Sequence, residues 1–265
     1  MVAKDFEMTR VLMTISVWLM VAGCVLYGES IKIMPLGDSI TYDDSYADYP
    51  NARPASVRHA YRNYLWYLLR GANFDVDFVG SRVAGSAVVP PFDPDNEGYP
   101  GETTDFIASI VYNRLVRYKP DIVLLHIGTN DRWRIDSSGS YMGGIRRILS
   151  EVNRFRQQYQ YPVHLVIAQI IGRRYNDYSG FTNTFNANLA AIVYDHIEQG
   201  EPITLIDMQH DAGLNYYTDF RDPAHPTNAG YAKMANLWFR AIKPLLSQPT
   251  KGYEWLPAIY HNILF

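Results

Sequence analysis

The sequence predicts an α/β fold in which a central parallel sheet is covered by helices on both faces. Two observations predict it. From Ser30 onward short β-rich runs alternate with longer helical stretches. The run 122–127 is almost uninterruptedly apolar, as expected of a central strand buried on both sides. The composition agrees: 265 residues, 48% hydrophobic and 19% charged, suit one globular domain with a sizeable core.

Taken in order, residues 31–36 read as the first strand. Residues 57–70 place Tyr61, Leu65, Leu68 and Leu69 at helical spacing, and Gly71 closes that helix. Residues 76–80 form a second short strand ending in a turn, and 81–96, with Pro90, Pro91 and Pro94, have loop composition. A helix over 103–118 sets Ile107, Ile110, Val111 and Leu115 on one face, and Pro120 stops it. After the strand 122–127 come an amphipathic helix over 141–158, a strand over 163–170, a helix over 181–198 and a strand over 202–207. Pro226 and Thr227 open a final helix that runs to Leu245. Residues 30–248 are therefore assigned to one domain, flanked by an aromatic tail at 249–265.

Residues 1–29 read as a leader and short linker. Lys4 and Arg10 precede the apolar run 11–25, the order of an export signal, and the run is shorter than the ~20 residues a membrane span needs. Val21-Ala22-Gly23-Cys24 resembles the lipobox of bacterial lipoproteins, which makes Cys24 a candidate for lipidation; a plain secretory signal with a coincidental cysteine is the alternative. Asp5 and Glu7 do not suit the positive end of a signal, and a start at Met8 gives a more compact one. Cys24 is the single cysteine, so no intrachain disulfide and no cysteine-based zinc site is expected. A net charge of -3 and a pI near 6.2 give no reason to expect nucleic acid as a partner.

Four segments fall where a predicted strand has just ended, the place where ligands collect in open α/β sheets. Gly37-Asp38-Ser39-Ile40-Thr41 follows the first strand; a glycine there permits the tight turn that exposes a serine nucleophile, although Gly-Asp-Ser also makes ordinary turns. In Asp222-Pro223-Ala224-His225 the aspartate can bend back onto one ring nitrogen and leave the other free to take a serine proton; a helix-capping role for Asp222 is the alternative. Gly128-Thr129-Asn130-Asp131 offers a neutral amide donor suited to an oxyanion, or a simple turn. Gly101, in Gly98-Tyr99-Pro100-Gly101-Glu102-Thr103-Thr104, can present an unobstructed N–H at a helix start, or likewise only a turn. Together the four supply a nucleophile, a base with its orienter, and oxyanion donors.

These blocks resemble, in order, those of the SGNH hydrolase, or GDSL-type, family, and they span most of the chain after the leader. The resemblance implies a flavodoxin-like three-layer α/β/α sandwich and ester hydrolysis through an acyl-serine. On that basis Ser39 attacks, His225 acts as base and then acid, and Asp222 orients His225. The N–H of Ser39, the N–H of Gly101 and the Asn130 side chain hold the oxyanion, with no metal or other cofactor. Ile33 to Thr41, Tyr64-Leu65-Trp66, Asp77 to Ser81, His225-Pro226 and Gly230-Tyr231 are similar to family 3 carbohydrate esterases, which include acetyl xylan esterases. The chain departs from that branch in a longer acidic and aromatic insert, Tyr42 to Tyr49, and in Tyr99-Pro100 where His-Ser is expected.

Tyr42, Tyr46 and Tyr99 are candidates for stacking on a sugar ring. His126, at the tip of the central strand, is read as a buried histidine satisfied by backbone, with lining of the site as the alternative. His59, His164, His196, His210 and His261 are read as structural, on the expectation that none of them has a carboxylate at the Asp-x-x-His spacing. Asp131 is expected to cap the turn that follows it, and Arg173-Arg174 to be surface charge or, less simply, a contact for an acidic sugar. The expected protein is an exported monomer, secreted or held at the periplasmic or outer surface, with Cys24 as its membrane anchor if lipidated. It removes small acyl groups, acetyl foremost, from a polysaccharide or oligosaccharide. A lipase or lysophospholipase-like esterase and a catalytically silent carbohydrate-binding lipoprotein are the alternatives.

Overall fold

The computed structural model describes residues 30–133, 142–174 and 180–246; the expected leader with Cys24, Tyr141 and the tail 249–265 lie outside them. The compact unit that carries the site begins at Ile31. Its elements are β1 (Ile31–Gly37), a single turn α1 (Ser39–Tyr42), α2 (Arg62–Gly71), β2 (Val76–Phe78), β3 (Arg82–Val83), β4 (Asp95–Gly98), α3 (Thr104–Tyr118) and β5 (Ile122–His126). Then follow α4 (Gly143–Tyr159), β6 (His164–Gln169), α5 (Phe181–Glu198), β7 (Ile203–Asp207) and α6 (Asn228–Ile242).

The sheet runs β3-β4-β1-β5-β6-β7, with β2 paired to β1 beside β4. Leaving aside the β3–β4 pair at the edge, the order β2-β1-β5-β6-β7 is that of a flavodoxin-like sheet, and the topological switch point falls between β1 and β5. Strand β1 shares one edge between two partners. Its start pairs with β2 from Ile31↔Val76 to Ile33↔Phe78, and its end pairs with β4 at Leu36↔Glu97 and Gly37↔Gly98.

Alternation on the strands feeds two cores. Ile33, Leu124 and Val166 pack with α2 and α6 on one face. Met34, Leu36, Val123, Leu125, Leu165 and Ile167 pack with α3, α4 and α5 on the other. All of β5 is buried, which is why its sequence reads as an unbroken apolar run. Among the described residues no helix is long and apolar enough to cross a membrane.

The structure differs from the sequence reading in three places. The helix expected from residue 57 begins at Arg62, because the chain first makes a 3-10 turn at Ala55–Val57. The segment expected to be loop contains β3 and β4, which pair antiparallel, so the sheet is mixed at that edge. Strand β4 is Asp-Asn-Glu-Gly and carries no apolar alternation; it is held by buried polar groups, Glu97 accepting from the Ser81 N–H at 2.6 Å and Asn96 donating to the carbonyls of Arg82 and Pro94 at 3.2 and 3.0 Å. The last helix ends at Ile242 in a 3-10 turn, Lys243–Leu245, that contains Pro244.

Candidate active site

The carboxyl ends of β1 and β5 meet at Gly37 and His126. A Cβ on Gly37 would stand 2.3 Å from the His126 carbonyl oxygen and 2.5 Å from Thr41 Oγ1, so glycine is what lets the turn bearing Ser39 sit this close to the end of β5. Asp38 caps α1, its Oδ1 accepting from the Ile40 N–H at 2.9 Å, and Ser39 follows as the first helical residue. Arg62, fully buried, braces this turn from behind: its guanidinium donates to the carbonyls of Thr41, Ala84, Pro94 and Arg58 at 3.0 to 3.1 Å.

The structure brings Ser39, His225 and Asp222 into one hydrogen-bonded line. Ser39 Oγ lies 2.9 Å from His225 Nε2, and His225 Nδ1 lies 2.8 and 2.9 Å from the two carboxylate oxygens of Asp222. Because Nδ1 faces a carboxylate, the proton belongs there and Nε2 is left to accept from the serine hydroxyl. Asp222 takes five donors in all: His225 Nδ1, the amides of Ala224, His225 and Tyr46, and the Ser45 hydroxyl. Burial opposes its ionisation, but the bond and charge of His225 and the Ala224 and Ser45 donors outweigh it and hold the carboxyl well below the usual range.

A cleft of about 230 Å³ opens on Ser39 and His225 and is also lined by Asp44, Ser45, Tyr46, Pro100, Gly101 and Asn130. Ser39, Gly101 and Asn130, the three residues singled out for the oxyanion, thus face one space. Gly101 is left-handed, with φ 80° and nothing within 4 Å of where a Cβ would be, which leaves its side of the cleft open. Asn130 spends one amide hydrogen on the Glu102 carbonyl at 2.9 Å, which fixes the side chain and leaves the second hydrogen for a ligand.

Of the three tyrosines, Tyr46 lines the cleft, 61% exposed, with its ring edge-on to His225 at 5.1 Å and 77°. Tyr42 and Tyr99 are outside the lining. The Arg82 guanidinium lies over both rings, at 4.7 and 5.2 Å, and the Tyr99 hydroxyl is bonded to Glu97 and Arg114. Both rings are thus engaged by neighbouring side chains, and Gly98 of β4 packs directly onto Tyr42.

Other expectations are corrected or located here. Asp131 caps α3, accepting from the N–H and hydroxyl of Thr104. His126 is fully buried outside the cleft, its Nε2 accepting from the Ile171 N–H at 3.3 Å, and burial pushes it down to about 4. The Arg174 guanidinium donates to the Phe220 carbonyl at 3.3 Å, and its main-chain N–H donates to the Pro223 carbonyl at 3.0 Å. The Asp-x-x-His spacing, expected at none of the other histidines, does occur at Asp207 and His210, which pair at 2.8 Å. That pair lies 67% exposed at the histidine and has no serine bonded to it among the described residues, so spacing alone does not single out His225.

The pattern of the GDSL-like lipase/acylhydrolase family matches residues 36–233. The chain belongs to that family. The matched region is accordingly an acylhydrolase domain of the GDSL type, with the SGNH hydrolase fold. A family 3 carbohydrate esterase of Clostridium thermocellum superposes with a TM-score of 0.65 at 28% identity, over 82% of this chain and 97% of that one. An acetyl esterase mutant crystallised with acetate ion superposes with a TM-score of 0.64 at 25% identity, over 81% and 97%. A multidomain esterase of Ruminococcus flavefaciens is 28% identical over 88% of this chain; the chain spans about a third of that relative, 33% of its length.

Proposed function

We propose that this chain is a serine esterase that removes short acyl groups, acetyl foremost, from a carbohydrate. The observation that carries the reading is the line Ser39–His225–Asp222 opening on a cleft shared with Gly101 and Asn130. In the forward step His225 Nε2 takes the Ser39 proton as Oγ adds to the ester carbonyl, and the new imidazolium is stabilised by the ionised Asp222. The oxyanion is met by the amides of Ser39 and Gly101 and by the free hydrogen of Asn130. Collapse expels the sugar hydroxyl, protonated by His225, and leaves an acyl-Ser39; water, deprotonated by the same nitrogen, then releases the carboxylic acid and restores the serine.

The carbohydrate reading is supported by the likeness to a family 3 carbohydrate esterase and to an acetyl esterase, and by the exposed Tyr46 ring at the rim, a flat surface suited to a sugar. We further infer export through the leader in residues 1–23, with Cys24 as an anchor if it is lipidated. The test is hydrolysis of acetylated xylan beside acetyl, butyryl and octanoyl aryl esters. Acetate release with acetyl preferred over octanoyl is expected. A preference for octanoyl points to a lipid substrate and overturns the carbohydrate assignment.

A further inference from the structure

The insert that departs from the family texture reaches into the catalytic line. Ser45 Oγ and the Tyr46 N–H donate to Asp222 Oδ2 at 2.7 and 2.9 Å, while Oδ1 takes the amides of Ala224 and His225. Without the first two, only one carboxylate oxygen would be held by donors other than the imidazole itself, and the carboxylate plane could pivot about it.

Ser45 is in turn held firmly. It is buried and starts the 3-10 turn Tyr46–Asp48, with the Ala47 N–H donating to its Oγ at 3.1 Å. Behind that turn Arg53 bridges Asp43 and Asp48, and Arg58 reaches Asp44, Asp48 and the Asp43 carbonyl. Arg221, the residue before Asp222, closes on Asp43 at 3.4 Å. Burial works against the Asp43 carboxyl, but the Arg53 bonds and the Arg221 charge hold it below the usual range, so the staple is ionic. The insert therefore ties the loop bearing Ser39 to the loop bearing His225.

We propose that Ser45 is a positioning residue of the hydrolysis: at the head of an arginine-stapled strap, it fixes the Asp222 carboxylate and so the aim of His225 at Ser39. This rests on Asp222 being the orienter of His225. The experiment is a double-mutant cycle on the full chain with acetyl aryl ester, comparing the parent, Ser45→Ala, Asp222→Ala and the double variant, with circular dichroism as a check on folding. Ser45→Ala is expected to lower kcat about tenfold, the loss of one hydrogen bond to a charged group, with KM changed less than about twofold. In the Asp222→Ala background the same change is expected to cost almost nothing, because the acceptor is gone. A Ser45→Ala enzyme with unchanged kcat, or with the same cost in both backgrounds, overturns the proposal. If Asp222→Ala itself has full activity, the assignment of the catalytic line fails and this proposal falls with it.

Discussion

Asp131 is the perturbation whose effect the structure specifies best. It is 2% exposed, and its carboxylate accepts from the Thr104 N–H at 3.1 Å and from the Thr104 hydroxyl. Thr104 is the first residue of α3, and Thr103, the local cap position, makes no side-chain cap bond of its own. Asp131 thus supplies from 27 residues away the cap that the helix start lacks, with its charge at the positive end of the helix dipole. Beside it Asn130 bonds Glu102, so the two loops bearing Asn130 and Gly101 are joined twice. Losing a cap and a buried charged acceptor costs about 2–4 kcal/mol of stability. Asp131→Ala should show that loss in urea denaturation as a lower midpoint with an unchanged slope, and kcat on acetyl aryl ester should fall because both oxyanion donors lose their brace. Asp131→Asn, which keeps the shape and one acceptor, should lose less. An Asp131→Ala protein with the parental midpoint and kcat would refute this bracing role.

Two further outcomes are expected. Asn130→Ala should cost roughly 3–4 kcal/mol of transition-state stabilisation, read as a fall in kcat with little change in KM; unaltered kcat removes Asn130 from the oxyanion hole. Burial pushes Asp38 up to about 6, against the Ile40 amide and the His225 charge, so its contribution favours folding at low pH and is lost as pH rises through that value. Asp38→Asn, measured against the parent, should therefore gain roughly 3 kcal/mol in relative stability between about pH 4 and about pH 8. A difference that does not change with pH would show that Asp38 titrates normally.

The layered fold was legible because its signals are repetitive: the apolar run of β5, the helical spacing of Ile107, Val111 and Leu115, and the stop at Pro120 each describe a burial pattern. The residues of the hydrogen-bonded line Ser39–His225–Asp222 were legible because they sit in short blocks whose internal spacing is itself geometric, as in Asp222 and His225. What stayed hidden depends on contacts across the chain. Strand β4 is polar and is stabilised by Ser81, Arg82 and Pro94, so no local pattern marks it. That Asp131 caps α3 is invisible until the fold brings Thr104 to it. The strap looked like an acidic insert because its arginines, Arg53, Arg58 and Arg221, come later in the chain; the dense mixture of aspartates and arginines over 43–62 was the available signal. Tyr42 and Tyr99 were chosen by ring chemistry, which does not report that both rings pack on Arg82 outside the cleft lining.

The most direct test of the serine esterase account is to acid-quench the purified chain during turnover of an acetyl aryl ester and map the peptides by mass spectrometry, with Ser39→Ala in parallel. The account predicts an acetyl group on the peptide at Ser39, and a fall in kcat on the order of a million-fold in the variant, which carries no adduct. Turnover by Ser39→Ala at the parental rate, or an acetyl group confined to another residue, would contradict it.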